Sequence, residues 1–316
     1  YTAGTNLYVM VYNGATSTWG NSWNVGVGGG VNGRRFDIAY ETTTGRAIVL
    51  YSNNSNGINE LRYRMWNGNV WTSATPVDSL RLTGTPNSIK LTPNPGPGSD
   101  EVAAAIADSG SVFTSLIWNG SGWLNEPTTS HGTLDGTAGQ NDLWDQAYES
   151  ASGDLLVVFT SSGNRQYYRA YSGGTWGTVT EFANVGGDPM QMVAAGNPNP
   201  ASNQILVAYN RAANVYASMW NGSSMAAAVT VATNGATPAI NQRTVEAGWL
   251  TAAGATAALV FYNSGTADRL DYGYSTNAGT SWTTATHTPI TIGARRWFDV
   301  DPDPRSLASL MLTTSD

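Results

Sequence analysis

The sequence predicts an all-β fold, a six-bladed β-propeller of four-stranded blades whose last blade is closed by the N- and C-terminal strands. Three observations predict it. A hairpin recurs along the chain: Leu61-Arg-Tyr-Arg-Met-Trp-Asn-Gly-Asn-Val-Trp71, Val112-Phe-Thr-Ser-Leu-Ile-Trp-Asn-Gly-Ser-Gly-Trp123, Gln166-Tyr-Tyr-Arg-Ala-Tyr-Ser-Gly-Gly-Thr-Trp176 and Val215-Tyr-Ala-Ser-Met-Trp-Asn-Gly-Ser-Ser-Met225. Each copy is an alternating strand, a tight Asn-Gly or Gly-Gly turn and a residue that opens a second strand, aromatic in all but the fourth. The aromatics before the turns, Trp66, Trp118, Tyr171, Trp220 and Tyr274, are spaced by 52, 53, 49 and 54 residues. An apolar run precedes each hairpin, and a repeat of roughly fifty residues has the dimension of a propeller blade.

Taken in order, Asn6-Leu-Tyr-Val-Met-Val-Tyr-Asn-Gly14 leads to Trp19 and Trp23 and supplies two outer strands. Val25 to Gly33 is a glycine-rich, flexible connection. Blade one covers 34–78, with Phe36-Asp-Ile-Ala-Tyr-Glu41 as its first strand and Ala47-Ile-Val-Leu-Tyr51 as its second. Blade two covers 82–127, around Glu101-Val-Ala-Ala-Ala-Ile106. Blade three covers 142–182, and its Trp144-Asp-Gln-Ala-Tyr-Glu149 closely copies the first strand of blade one. Blades four and five cover 187–231 and 241–286, around Ile205-Leu-Val-Ala-Tyr209 and Ala257-Ala-Leu-Val-Phe-Tyr262. Such continuous apolar runs read as strands covered on both faces. Residues 295–316 supply two inner strands, which joined with 1–25 complete a sixth blade; around that ring Tyr274 to Tyr12 is a further 54 residues. The whole of 1–316 reads as one domain, because composition does not break. Asn94-Pro-Gly-Pro-Gly98 and Asn197-Pro-Asn-Pro200 read as stiff turns between first and second strands. Pro127 to Asn141 is the longest connection and carries His131 and Asp135.

The net charge is −7, with a single lysine, Lys90, which argues against nucleic-acid binding. No apolar run approaches the roughly 20 residues of a membrane span. Cysteine is absent, so there is no disulfide framework. No signal peptide is visible, and the pattern is already under way at Tyr1, which leaves room for an upstream segment. Asn53, Asn119 and Asn221 begin Asn-x-Ser sequons that read as turn chemistry.

Ser275-Thr-Asn-Ala-Gly-Thr-Ser-Trp282 fits the pattern Ser-x-Asp-x-Gly-x-x-Trp, with Asn277 in the acid position. It resembles the Asp-box of sialidase-like (BNR repeat) propellers, and the shorter Trp-Asn-Gly-x-x-Trp form is similar to the blade hairpins of fucose-binding propeller lectins. The lectin resemblance implies sugar pockets built from Arg, Glu and Trp of neighbouring blades. The sialidase resemblance implies an arginine cluster holding a carboxylated sugar. The Phe-Arg-Ile-Pro style motif and an identifiable Tyr–Glu nucleophile couple are missing, which counts against that enzyme.

Candidate ligand-binding residues flank the first strands, where loops converge at one end of a propeller channel. Arg34, Arg35, Arg243, Arg295 and Arg296 form a cationic rim, facing Asp142, Trp144 and Asp145. Guanidinium groups match carboxylates in a bidentate fashion. The alternative is structural, with the arginines paired to Asp37, Asp145 and Asp299 between blades. Asp37 with Glu41, and Asp145 with Glu149, put two carboxylates on one strand face; they read either as acid and base or as devices that satisfy backbone groups where blades meet. Asp299, Asp301 and Asp303 offer oxygens at alternate positions, the donor type Ca²⁺ takes, or else form a solvated turn. No catalytic residue and no other cofactor is expected. The repeated tryptophans read as packing between blades. The expectation is an extracellular, carbohydrate-binding adhesion module, with a glycan or cell-surface ligand and a place in a larger surface protein. A sialidase-like glycosidase or a lyase on acidic polysaccharide is one alternative, and a structural part of a surface appendage is another.

Overall fold

The structure is a computed structural model describing residues 2–3, 5–27, 34–53, 61–135, 143–161, 165–186, 191–237, 242–252, 255–265, 269–286, 297–302 and 309–315. Every regular element among them is a β-strand. They group into two compact units, the first built on Tyr1–Thr133 and the second on Gln140–Asp316.

The first unit holds a three-stranded sheet (Thr2–Ala3, Asn6–Asn13, Thr18–Gly26) and two blades. Blade one is Phe36–Tyr40, Ala47–Ser52, Leu61–Trp66 and Thr75–Val77, paired antiparallel in chain order. Blade two is Pro86–Pro93, Glu101–Asp108, Val112–Asn119 and Trp123–Leu124. Its outer edge extends past the predicted limit at 127, because Gly132–Thr133 returns to pair with Val112 and Phe113. The second unit holds blade three (Trp144–Tyr148, Leu155–Ser161, Arg165–Ser172, then Thr175–Trp176 and Thr180–Ala183) and blade four (Gln191–Gly196, Ile205–Arg211, Asn214–Trp220, Val229–Ala232). Blade five (Val245–Ala252, Ala255–Asn263, Leu270–Ser275, Thr283–Thr286) and a two-stranded hairpin (Trp297–Pro302, Leu310–Ser315) follow. Within each unit the first strands of successive blades run side by side, which is propeller architecture. Five blades are complete, and the terminal sheets carry the outer and inner strands expected of a sixth.

Hairpin register repeats from blade to blade. Trp118 pairs Trp123, Tyr171 pairs Trp176, and bridges join Trp66 to Trp71 and Trp220 to Met225. The paired rings sit with centroids 5.4 Å apart in blade one, 5.6 Å in blade two and 5.0 Å in blade three. The turns between them are closed by asparagine. Asn221 Oδ1 accepts from the N–H groups of Ser223 at 3.0 Å and Ser224 at 2.9 Å. Asn119 does the same for Ser121 and Gly122, so two of the sequons serve as turn chemistry. Gly222 follows at φ +96°, and a Cβ there would lie 2.9 Å from Cβ of Asn203. Gly222→Ala is therefore expected to cost about 1–3 kcal/mol in equilibrium unfolding, from left-handed strain plus the clash; a loss of under about half a kcal/mol would show the turn to be tolerant.

The second strands are buried on both faces because each lies between two neighbours. Ile48 and Leu50 point to the layer shared with blade two, while Val49 and Tyr51 join Leu7 and Val27 against the N-terminal sheet. The same alternation fills the layers between blades three and four and between four and five. Trp66, Trp118 and Trp220 are core residues, as expected.

Candidate functional site

The repeated carboxylates join blades. Asp37 Oδ2 accepts the N–H of Leu91 in the next blade at 2.8 Å, and Asp145 Oδ2 accepts that of Ala194 at 2.9 Å. Four residues along, Glu41 and Glu149 are 1% and 2% exposed and take the indole N–H of the next blade's tryptophan. Trp118 Nε1 donates to Glu41 Oε1 at 2.7 Å, and Trp220 Nε1 to Glu149 Oε1 at 2.5 Å. Arg46 adds a forked pair to Glu41, 2.6 Å from Nε and 2.7 Å from Nη2, which raises the guanidinium above its ordinary pKa. Thr44 Oγ1 donates to the same carboxylate. These acids satisfy backbone and indole donors where strands from adjacent blades meet, the structural alternative left open by their sequence pattern. Asp108, whose role the sequence did not suggest, accepts four backbone N–H groups, those of Thr83, Gly84, Gly110 and Val112.

Arg34 donates to Asp37 at 3.0 Å. Arg35 reaches the Val27 carbonyl and Asn87 Oδ1, the latter at 2.9 Å. Arg243 lies 2.6 Å from Glu246 and 3.9 Å from Asp299. Arg34 and Arg35 belong to the first unit; Arg243, Trp144 and Asp145 belong to the second. Trp144 and Asp145 are only 7% and 3% exposed. Asp142, Arg295, Arg296, Asp303 and His287 lie outside the described residues. His131 is not on an open loop. It is buried, with its ring Nε2 2.9 Å from Ser115 Oγ.

Asp299 and Asp301 lie within a strand, paired with Thr313 and Met311, rather than in the solvated turn expected from their prolines. Burial pushes the Asp301 carboxyl up, and Asp299 adds to the rise. Among the described residues no cluster of three or more His, Cys, Asp or Glu side chains could hold a metal. Asn277 closes the turn between the third and fourth strands of blade five. Its Oδ1 accepts the N–H of Ser281 at 3.1 Å, and its Nδ2 donates to Ser281 Oγ at 2.8 Å.

A pocket of about 510 Å³ in the second unit is walled by Leu250, Leu259, Phe261, Tyr272, Leu310 and Leu312. Its charged wall residue, Asp271, is paired with Arg269. The lining is too apolar to suit a polyhydroxylated ligand.

A different surface combines aromatic rings with unused donors. Leu61, Tyr63 and Met65 of the third strand of blade one face blade two. Alternation turns Arg62, Arg64 and Trp66 the other way, and register sets Arg62 opposite Tyr51 and Arg64 opposite Val49. That face meets the N-terminal sheet at Trp23. The Arg64 guanidinium carbon lies 4.7 Å from the centroid of the Trp23 ring. Trp23 is braced by Tyr51 at 5.5 Å and by Trp71 at 5.8 Å, and Trp71 Nε1 donates to the Asn21 carbonyl. Arg62 Nε, Arg64 Nε and Trp23 Nε1 are closed off from solvent and have no hydrogen-bond partner. Tyr12 and Trp19, exposed on the same N-terminal sheet, stack at 5.2 Å. The sequence reading passed over Arg62 and Arg64 because they sit inside the repeat; the usable signal was two like charges at alternate positions of one strand.

No family model matches the chain, and no curated protein matches its sequence. Among solved structures, a fungal lectin of Aleuria aurantia, described as a six-bladed β-propeller with a novel fucose recognition mode, is 13% identical over 93% of this chain and 94% of its own, at a TM-score of 0.46. AofleA from Arthrobotrys oligospora is 14% identical over 94% and 78%, at 0.47. A prolyl endopeptidase is 10% identical over 95% of this chain and 41% of its own, at 0.50. The likeness to the endopeptidase is one of fold, and the lectins' ligand is a property of those proteins.

Proposed function

We propose that the chain is a non-catalytic carbohydrate-recognition module of an extracellular or cell-surface protein. The observation that carries the reading is the face formed by Trp23, Arg62 and Arg64, where buried donors without partners adjoin aromatic rings. Sugars are bound by that pairing, ring face against apolar C–H groups and N–H donors toward hydroxyls. The carboxylates of the blade junctions support the non-catalytic part. Asp37, Glu41, Asp145 and Glu149 are all taken up in bonds between blades, so they are not poised as an acid–base pair across a substrate.

A glycan array probed with the whole chain and with Trp23→Leu tests this. The wild type is expected to retain a defined set of glycans and the variant to lose them, while its thermal midpoint shows that it still folds. Retention of no glycan by the wild type overturns the reading, as does undiminished binding by the variant.

A further inference from the structure

We infer that the ligand of the Trp23 face carries an anionic group on its sugar ring, a carboxylate or a sulfate, received by Arg62 and Arg64. This rests on the glycan-binding reading and names its ligand class.

The arginines of the described residues divide sharply. Arg34, Arg46, Arg165, Arg243 and Arg269 pair with carboxylates. Arg35, Arg81, Arg169 and Arg211 donate to backbone carbonyls. Arg62 and Arg64 do neither, although both are half-buried and their Nε atoms are shut off from solvent. Half-burying two like charges side by side, with no counter-ion, is unfavourable unless something else supplies the negative charge.

The repeat provides an internal control. Arg169 occupies in blade three the position of Arg64 in blade one, two residues before the aromatic of the turn. Its Nε donates to the carbonyl of Gly177 at 2.7 Å, and its guanidinium lies 5.9 Å from the Trp176 ring. Burial holds its pKa below the ordinary arginine value. Blade three thus ties its arginine down within its own hairpin, whereas blade one leaves the equivalent side chain without an oxygen. In the other two hairpins the position is Leu116 and Ser218, which carry no charge.

Geometry suits one oxyanion. Alternate residues on a strand project from one face roughly 6.5–7 Å apart, so two guanidinium groups can bracket a single carboxylate or sulfate between them. The Trp23 indole N–H is a third unused donor beside them. Arg64 is already fixed over the Trp23 ring, which reduces the ordering needed on binding.

The test is calorimetric titration of the whole chain with a galacturonate trisaccharide, its methyl ester, a neutral galactose trisaccharide and its sulfated form. The ester keeps the ring and removes the charge. The acid or the sulfate is expected to bind at least about tenfold tighter than its uncharged counterpart, more weakly as salt rises. Arg62→Gln/Arg64→Gln should reduce that preference to about twofold or less with no fall in thermal midpoint, since no protein contact is lost. Arg64→Lys, which keeps the charge and loses the fork, should retain part of it. The acid and sulfate arms tell which oxyanion is taken. Equal binding of acid and ester, or a preference that survives the double variant, overturns the inference and leaves sugar recognition standing. No binding of any of the four, together with an empty glycan array, overturns both.

Discussion

Glu41→Ala is expected to lower the stability of the first unit by about 2–4 kcal/mol, because one carboxylate serves three donors at a blade junction. Its removal leaves the Trp118 indole N–H buried 2.7 Å from where its acceptor stood. It also leaves Arg46, whose side chain is 35% exposed, without its ion pair. The partial exposure of Arg46 tempers the loss, since the freed guanidinium can turn toward water. Arg46 Nη2 keeps its bond to the Gly120 carbonyl at 2.7 Å, so the arginine is loosened rather than released. Glu41→Gln should fall between, keeping an acceptor for the indole while giving up the charge. Urea unfolding followed by tryptophan fluorescence reads this directly, with the slope unchanged and the midpoint lowered. A loss below about 1 kcal/mol for the alanine variant would mean that the junction is held by apolar packing and that the carboxylate is incidental.

Trp220→Ala should be at least as damaging to the second unit, by about 3–5 kcal/mol, because it empties a large buried volume. Trp220 packs in the layer with Leu156, Met192 and Ile205 and stands 5.1 Å from the Tyr168 ring. Trp220→Phe separates packing from hydrogen bonding. It keeps most of the ring and removes only the indole donor from Glu149, for an expected cost of about 1–3 kcal/mol. A double-mutant cycle with Glu149→Gln should then return a coupling of about 0.5–3 kcal/mol. Additive losses would show that the 2.5 Å contact does not contribute.

Much of the fold was legible in local sequence, for a physical reason. A tight Asn-Gly turn and its flanking aromatics involve residues five or six apart, so their chemistry is fixed before any distant contact forms. The turns sit where Asn67, Asn119 and Asn221 place them. The apolar runs likewise announced strands buried on both faces, and Ala47–Ser52 is buried at every position. Boundaries were less legible. The outer edge of blade two is completed by Gly132–Thr133 after an excursion that no local pattern marks.

The candidate site was far less legible. Arg34, Arg35 and Arg243 looked available, yet each found an oxygen, and for Arg35 one partner lies 52 residues away. Asp145 looked like half of a polar rim and is a staple to the neighbouring strand. Arg62 and Arg64, read as ordinary members of a repeat, are the ones left without a partner. Whether a charged side chain is spent or free depends on which groups the next blade brings to it, and the repeat places those groups about fifty residues off.

The sequence by itself therefore determined the array: its period, its hairpins, its turns and its alternation of core-facing residues, all set by interactions within a few residues of chain. Only the tertiary structure decided which polar groups are consumed. That outcome follows from desolvation, since a carboxylate or guanidinium closed in between two sheets must take whatever donor or acceptor the facing sheet offers. Glu41 met Trp118 and Arg46, whereas Arg62 and Arg64 met aromatic rings and no oxygen.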